Sequence, residues 1–582
     1  MCGIVGYARL GIETSQLQAA LLAACTAIRH RGPDSNGIIT HNNVGFGATR
    51  LAIRDVVRGE QPMIASDGTI IAYNGELYGV EPLRKWLIDC GHVFNTSSDT
   101  EVLLHGFREI GNEIFRRVSG MFAVAIWEPK FERLTLVRDR WGEKPLYYAE
   151  TPEGFTFASE PKALRAFKNV NWNLSPSEIV FFLSYGYLAS DQTGWVGVRK
   201  LLPGQILTWS KSTITLSHYY TPKINPGTSI DLFENNSVNL QTISQELLAL
   251  LERSVTECLV SERPVGVFLS GGIDSSSVLA LSRKHYNNIP SFSVSWKDSP
   301  DEDLQYAVAL ATTLGSRHVV IEYTPDDLCK DFDTVVAQVD ELLTDSSTFP
   351  LAKMAGVAKN NVDVVLTGDG ADELFGGYSR YLFNVSDEEY DQICRTIRTS
   401  TLQRLLSKDL LYLIPGLPIF TMNEHKMKHN TLNERRLVDL HTFLPNMILT
   451  KVDRSTMLFG LESRAPYLHP IISEWALQCQ SNLLVESGVG KHVLRVALNN
   501  VLPQSILNRP KKGFRTPLRQ WFKDELAKWL AERLLTGSLV KSGWFQLSEI
   551  ELVLREHQFK DQNYTRTLLG LAILESWLRL QC

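Results

Sequence analysis

Two stretches of the 582-residue chain hold residue types suited to covalent and phosphate chemistry. The first is the amino terminus, Met1-Cys2-Gly3-Ile4-Val5-Gly6, where cysteine leads once the methionine is removed. A cysteine with a free α-amino group carries its own general base, because that amine is far less basic than lysine and takes the thiol proton near neutral pH. Position alone equally allows a buried cysteine that happens to follow the initiator. The second stretch is Phe268-Leu269-Ser270-Gly271-Gly272-Ile273-Asp274-Ser275-Ser276. Its glycines leave backbone NH groups unobstructed, its serines add hydroxyl donors, and a helix start adds a positive dipole end, which together make an anion cradle. Asp274 would repel a bare phosphate, so it suits a carboxylate holding a divalent cation that bridges to phosphate oxygens. An ordinary Gly-Ser turn is the plain alternative. A later loop, Thr367-Gly368-Asp369-Gly370-Ala371-Asp372-Glu373, supplies Asp372 as a second candidate magnesium ligand, or else as a favourable acidic residue at a helix start. No Walker A string competes, since Gly490-Lys491 is followed by His492 and the earlier glycine is Val485.

The elements that must position these residues differ between the two halves. Pro264 to Leu269 is a short apolar run of the buried parallel-strand type, and Ser277 to Leu281 reads as a helix start. Pro290 to Ser295 is a second strand, Asp301 to Leu314 the helix after it, and Val362 to Leu366 a further strand. This succession predicts an open parallel sheet with its site at the strands' carboxyl ends. Earlier in the chain, strands at Phe122 to Trp127 and Leu134 to Asp139 alternate with helical stretches at Ser15 to Arg29 and Val80 to Cys90, a mixed α and β pattern. The segment from Thr221 to Asn239 turns polar, with Pro222, Pro226, Gly227 and Asn235-Asn236-Ser237, and is the expected junction. Thr242 with Gln245 reads as a capping-box start for a helix whose Leu247, Leu248, Leu251 and Val255 share one face. The expected domains are therefore 1–220, a linker 221–240, and 241–582.

Composition narrows the class. The chain is too long for one core, and 44% hydrophobic with 21% charged residues is that of a soluble globular protein. A net charge of -5 offers no basic footprint for nucleic acid. The eight cysteines are scattered, with neither a Cys-x-x-Cys nor zinc-like spacing, and read as reduced thiols of a cytoplasmic protein. No basic segment with an apolar stretch and cleavage site suggests export, and no run of about eighteen apolar residues suggests a membrane span.

His30-Arg31-Gly32-Pro33-Asp34, Thr49-Arg50-Leu51-Ala52-Ile53, Gly59-Glu60-Gln61-Pro62-Met63, Tyr73-Asn74-Gly75-Glu76-Leu77-Tyr78 and Ser98-Asp99-Thr100-Glu101 stand in order behind Cys2. Together they resemble the N-terminal-nucleophile glutamine amidotransferase domain. The resemblance implies an αββα sandwich of the Ntn-hydrolase kind, with Cys2 as nucleophile. The Asn74 amide and the Gly75 backbone NH would serve as oxyanion donors. Arg50 with Leu51, Ala52 and Ile53 would line the glutamine site, the guanidinium facing the α-carboxylate, and Glu76 and Asp99 the α-ammonium. Ala48 departs from the histidine expected there. For Asn74-Gly75 a hairpin turn, and for Arg50 a surface ion pair, are the plain readings of each taken singly.

The loop at Ser270 resembles the pyrophosphate-binding signature of the ATP pyrophosphatases. Joined with Asp345-Ser346-Ser347, Asp453-Arg454-Ser455-Thr456-Met457, Gly460-Leu461-Glu462-Ser463-Arg464-Ala465-Pro466-Tyr467-Leu468, Gly490-Lys491-His492-Val493-Leu494-Arg495 and Lys512-Gly513-Phe514, it resembles the glutamine-hydrolysing asparagine synthetases. That resemblance implies a parallel α/β synthetase domain with extra helices. Glutamine, ATP with magnesium, and aspartate or another carboxylate acceptor would be its small-molecule partners. Oligomeric state is left open, a homodimer among the possibilities. Phe268, Leu269, Ser270, Gly271, Gly272, Asp274, Ser275, Ser276, Val294, Thr367 and Gly368 would bind ATP, Asp274 and Asp372 the metal, Lys491 the pyrophosphate, and Arg380 the acceptor. Asp369 would be the base that assists ammonia. One departure bears on the acceptor: the family pattern Pro-Phe-Leu-Asp stands here as Pro466-Tyr467-Leu468-His469, either a neutral change in a structural turn or the mark of an acceptor other than aspartate.

Overall fold

Two antiparallel six-stranded sheets stacked face to face make up the amino-terminal half. In the first, the order is Arg199–Lys200, Tyr147–Thr151, Gly154–Ala158, Cys2–Ala8, Val44–Arg50, Ser35–His41; in the second, Thr213–His218, Gln205–Ser210, Arg133–Arg138, Ser119–Glu128, Ile70–Tyr78, Met63–Ile64. The computed structural model describes all residues except 1, 9–13, 42–43, 225–237, 298–301, 416–420, 423–424, 427–430, 510–512, 514–515 and 582. Most of the polar junction, and Lys512 and Phe514 of the last motif, thus lie outside the described residues.

Strand alternation explains the layering. Ile4, Ala8 and Phe46 of one sheet meet Ala72, Ala125 and Leu136 of the other in a shared core. The intervening Val5 and Tyr7 face outward onto helix Thr14–Ala27 through Leu17, Leu21 and Cys25. On the opposite side Ile71, Tyr73, Val124 and Ile126 face helix Asp99–Ile110 through Leu103, Leu104 and Phe107. The layer order is α, β, β, α. Asn74 and Gly75 do not form a hairpin; they sit in mid-strand opposite Ala123 and Phe122. Glycine is required at 75 because a Cβ there would lie 2.2 Å from the Met121 carbonyl oxygen.

The carboxy-terminal half is organised on a five-stranded sheet in the order Arg317–Tyr323, Pro290–Trp296, Val265–Phe268, Val364–Leu366, Glu462–Arg464. All four pairings are parallel. Val267, Val365 and Leu366 are fully buried, as expected for strands covered on both faces, each apolar side chain contributing about 1.5–3 kcal/mol. Strand order reverses between Val265–Phe268 and Val364–Leu366, so the loops leaving their carboxyl ends flank the crevice where such sheets bind ligands. Those loops are the two acidic, glycine-rich stretches.

Two helix starts differ from the pattern. The helix after the first loop spans Ile273–Ser282, not a segment beginning at Ser277, so Asp274 and Ser275 belong to its first turn. Helix Val238–Cys258 begins a turn before Thr242, which is therefore interior; Leu240 already packs on the core and extends the helix into the expected linker. The last helix, Thr565–Arg579, packs against the amino-terminal half, with Trp577 on Trp195 at 5.0 Å between ring centroids.

Candidate active sites

Cys2 starts the first strand opposite Arg50 and is 5% exposed. Its backbone nitrogen donates to Asn74 Oδ1 at 3.0 Å. With that oxygen engaged, the buried Asn74 Nδ2 has no partner among the described residues and is available to an oxyanion. Gln61 Nε2 lies 3.6 Å from the thiol, and its Oε1 accepts from the Tyr73 NH at 2.8 Å. Burial pushes the thiol pKa up, against the amino-terminal charge, the Leu51 NH and Arg50. Arg50 is not a surface ion pair. It is buried, its guanidinium pinned to the carbonyls of Arg54, Val56 and Asp55 at 3.2, 3.2 and 2.6 Å. Backbone carbonyls leave its charge uncancelled, which suits a carboxylate ligand. Asp99 Oδ2 accepts from the Tyr73 hydroxyl and the Leu77 NH, both at 2.9 Å.

Glu76 is where the halves meet. It pairs with Arg54 at 3.2 Å and with Arg464, from the edge strand of the parallel sheet, at 3.4 Å. Burial lifts its carboxyl to about 7 in spite of Arg464 and Arg54. Arg464 is itself held by Glu462 at 2.7 Å and by the Cys258 and Val260 carbonyls. Arg31 spans the same boundary: its Nε donates to the Cys2 carbonyl at 3.3 Å, while Nη1 and Nη2 grip Asp453 at 2.8 and 2.9 Å.

At the sheet's switch point a cleft of about 1190 Å³ opens. Phe268, Leu269, Ser270, Gly272, Asp274, Ser275, Val294, Thr367, Gly368, Asp369, Asp372 and Lys491 all line it. Gly271 and Ser276 do not: the Gly271 carbonyl is taken by Arg509 at 2.7 Å, and Ser276 is fully buried within the helix. Lys491 Nζ lies 2.6 and 2.7 Å from the two Asp274 oxygens and 2.6 Å from Asp372 Oδ1. The candidate metal carboxylates thus converge on one cationic point, the geometry a divalent ion between phosphates and protein asks for. Gly377 permits this convergence, because a Cβ there would stand 2.0 Å from Asp372 Oδ1 and 2.3 Å from Lys491 Cε. Among the described residues no cluster of three or more metal-ligating side chains exists, so the remaining ligands would be phosphate oxygens and water.

Arg380, expected at the acceptor, is instead ion-paired with Asp439 and stacked over Tyr378 and Phe443, outside the cleft lining. Lys451, which pattern reasoning passed over two residues before Asp453-Arg454, lines the cleft and pairs with Asp345 at 3.0 Å. Glu373 also lines it, lifted to about 7 by burial and by Asp372, with the Tyr378 hydroxyl donating to it at 2.8 Å. His469 is not among the residues that line the cleft. It caps helix Pro470–Gln478, its Nδ1 accepting the Ile471 NH at 3.3 Å while Nε2 faces Glu257 at 3.0 Å. An aspartate would serve the same capping role, so the departure from the family pattern is a structural exchange.

A small second cavity, with about 10 Å³ of free space, lies where the two halves meet. Thr367 and Asp369 belong to its wall and to that of the large cleft, while Arg464 links it to Glu76. No helix among the described residues is long and apolar enough to cross a membrane, and the seven described cysteines are all free.

Comparison with known proteins assigns both halves. The glutamine amidotransferase domain family matches residues 1–220, and the asparagine synthase family matches residues 246–579. The chain is 31% identical to asparagine synthetase [glutamine-hydrolyzing] 1 of Bacillus subtilis, over 91% of this chain and 89% of that one. It is 28% identical to a putative asparagine synthetase [glutamine-hydrolyzing] of Mycobacterium bovis, over 99% and 97% of the two chains. Among solved structures, a glutamine phosphoribosylpyrophosphate amidotransferase from B. subtilis aligns at 18% identity and a TM-score of 0.29, over 55% of this chain and 65% of that one. The chain belongs to the asparagine synthase family and is a glutamine-dependent amide ligase.

Proposed function

We propose that the protein converts aspartate to asparagine, drawing nitrogen from glutamine and forming AMP and pyrophosphate from ATP. The observation that carries this reading is the continuity of the two sites: Arg464 pairs with Glu76 beside Cys2 and also lines the small cavity whose far wall, Thr367 and Asp369, belongs to the nucleotide cleft. In the first site the Cys2 amine, oriented by Asn74 Oδ1, takes the thiol proton, and sulfur bonds to the glutamine side-chain carbon. The carbon–nitrogen bond breaks, ammonia leaves with the proton, and water hydrolyses the thioester to glutamate. Asn74 Nδ2 donates to the oxyanion.

In the second site the acceptor carboxylate attacks the α-phosphorus and pyrophosphate departs. Lys491 lies where it neutralises that leaving group. Magnesium, held by Asp274 and Asp372, would supply further charge neutralisation when bound. Ammonia then displaces AMP at the acyl carbon and Asp369 takes the released proton. Ammonia released into water would be diluted and protonated, so an enclosed route favours transfer. Incubating the enzyme with glutamine, ATP, magnesium and aspartate tests the reading: asparagine, AMP and pyrophosphate are expected in equal amounts, and glutaminase activity with no aspartate-dependent pyrophosphate release would refute it.

A further inference from the structure

We propose that Glu143 is the binding residue of a one-molecule station that holds ammonia on its way from Cys2 to Asp369. This rests on the reading above and adds a residue to it. The small cavity where the two halves meet has room for one molecule the size of water or ammonia. Glu143 and Lys144 enter its wall from the amino-terminal half, Thr367 and Asp369 from the nucleotide loop, Asp453 and Arg464 from the elements behind.

Three features fit this lining to ammonia, which has three N–H donors and one lone pair. Glu143 is 8% exposed and lines the cavity. The carbonyl oxygen of its carboxyl accepts an N–H in either protonation state. The Thr367 hydroxyl is buried without a partner among the described residues and can donate to the lone pair. Asp369 stands across the cavity as the next hydrogen-bond acceptor and is the base that takes the proton ammonia releases.

The aim of Glu143 is fixed by its own loop. Asp139 Oδ1 accepts the Trp141 and Glu143 NH groups at 3.0 Å each, and Oδ2 accepts those of Lys144 and Phe122 at 2.9 and 3.2 Å. The carboxyl faces Asp139 and Lys144 on this loop, Asp369 across the cavity, and Asp453 and Arg464 beyond. Burial, then Asp139, push its pKa up to about 8, with Asp369 adding to the rise.

The test is Glu143→Gln assayed above pH 8, where the Glu143 carboxyl is ionised, so that the change keeps the volume but turns one acceptor into a donor that opposes ammonia's N–H groups. Glutamine labelled in its amide nitrogen is supplied together with excess unlabelled ammonium. The wild type is expected to pass label into the amide product. The variant is expected to lose amide formed per glutamate by about tenfold and to take unlabelled nitrogen instead, while glutaminase and ammonia-supported synthesis persist. Glu143→Asp should recover part of the coupling. Wild-type coupling and label retention in Glu143→Gln would overturn the proposal, as would loss of ammonia-supported synthesis, which would place Glu143 in the cleft. If the wild type forms no amide from ammonia and ATP, the underlying reading fails instead.

Discussion

Replacing Lys491 by methionine keeps the aliphatic stem and removes one charge from a buried triad. The ammonium is 2% exposed and lies within 2.6 Å of both Asp274 and Asp372, whose side chains are 12% and 13% exposed. Taking it away leaves two facing carboxylates with no counter-charge, a change that costs about 3–5 kcal/mol where a buried partner is lost. The same vacancy creates a better divalent site, because the ammonium no longer competes for the carboxylate oxygens. A cation present at about a hundred times its dissociation constant returns about 2.7 kcal/mol. The assay is the apparent melting temperature by fluorescence, read in chelator and in magnesium, and needs no turnover. In chelator Lys491→Met should melt several degrees below wild type; in magnesium most of the difference should close, while wild type moves little. Adding Asp372→Asn should restore stability in chelator and abolish the magnesium response. A Lys491→Met protein as stable as wild type and indifferent to magnesium would refute both the charge balance and the two-carboxylate metal site.

Cys2→Ala should abolish glutamine-dependent synthesis and leave ammonia-dependent synthesis largely intact; equal loss of both in a product assay would contradict the nucleophile assignment. Asn74→Ala should lower the glutaminase kcat by about 10²–10³, the usual worth of an oxyanion donor, with a smaller change in KM. Because Glu76 sits at about 7 and only its ionised form attracts an ammonium, KM for glutamine should fall as pH rises through that value, and Glu76→Gln should flatten the profile. His469→Asp should exchange one helix cap for another, with acceptor preference unchanged when products from several carboxylates are compared, and should raise the Glu257 pKa from about 2 by removing its imidazole partner.

Local chemistry was legible in the sequence where one segment does the whole job. The candidate anion loop draws only on its own glycines, serines and a helix start, so its place at the cleft was legible without the fold, although the helix begins four residues earlier than its apolar run suggests. The cradle's depth was not legible: Gly271 and Ser276 share the loop's residue types but turn away, one toward Arg509 and one into the core. Residues that work by meeting a distant partner were opaque. Arg380 is taken by Asp439, 59 positions away, and Glu76 by Arg464 of the other half. His469 looked like a clue to the acceptor because a pattern records identity without direction; its ring caps a helix and stacks on Tyr78 at 5.3 Å, outside the cleft lining.

The join between the halves explains why motifs so far apart occur in one chain. Helix Thr450–Met457 presents Lys451 and Val452 to the nucleotide cleft, Asp453 to Arg31, and Arg454 to Glu160 at 2.7 Å. Arg31 in turn bonds the Cys2 carbonyl and Glu160 at 2.8 Å. Buried ion pairs of this kind recover little more than the cost of desolvating them, so net stability is a poor reason for their presence. Their yield is geometric. A bidentate guanidinium–carboxylate pair tolerates little displacement, and an apolar interface of the same area would permit sliding. A slide of one ångström would open or close a cavity with about 10 Å³ of free space, which a molecule of water's size already fills. The charged boundary therefore fixes the one dimension on which the proposed transfer between Cys2 and Asp369 would depend, and it does so with a helix that already lines the nucleotide cleft.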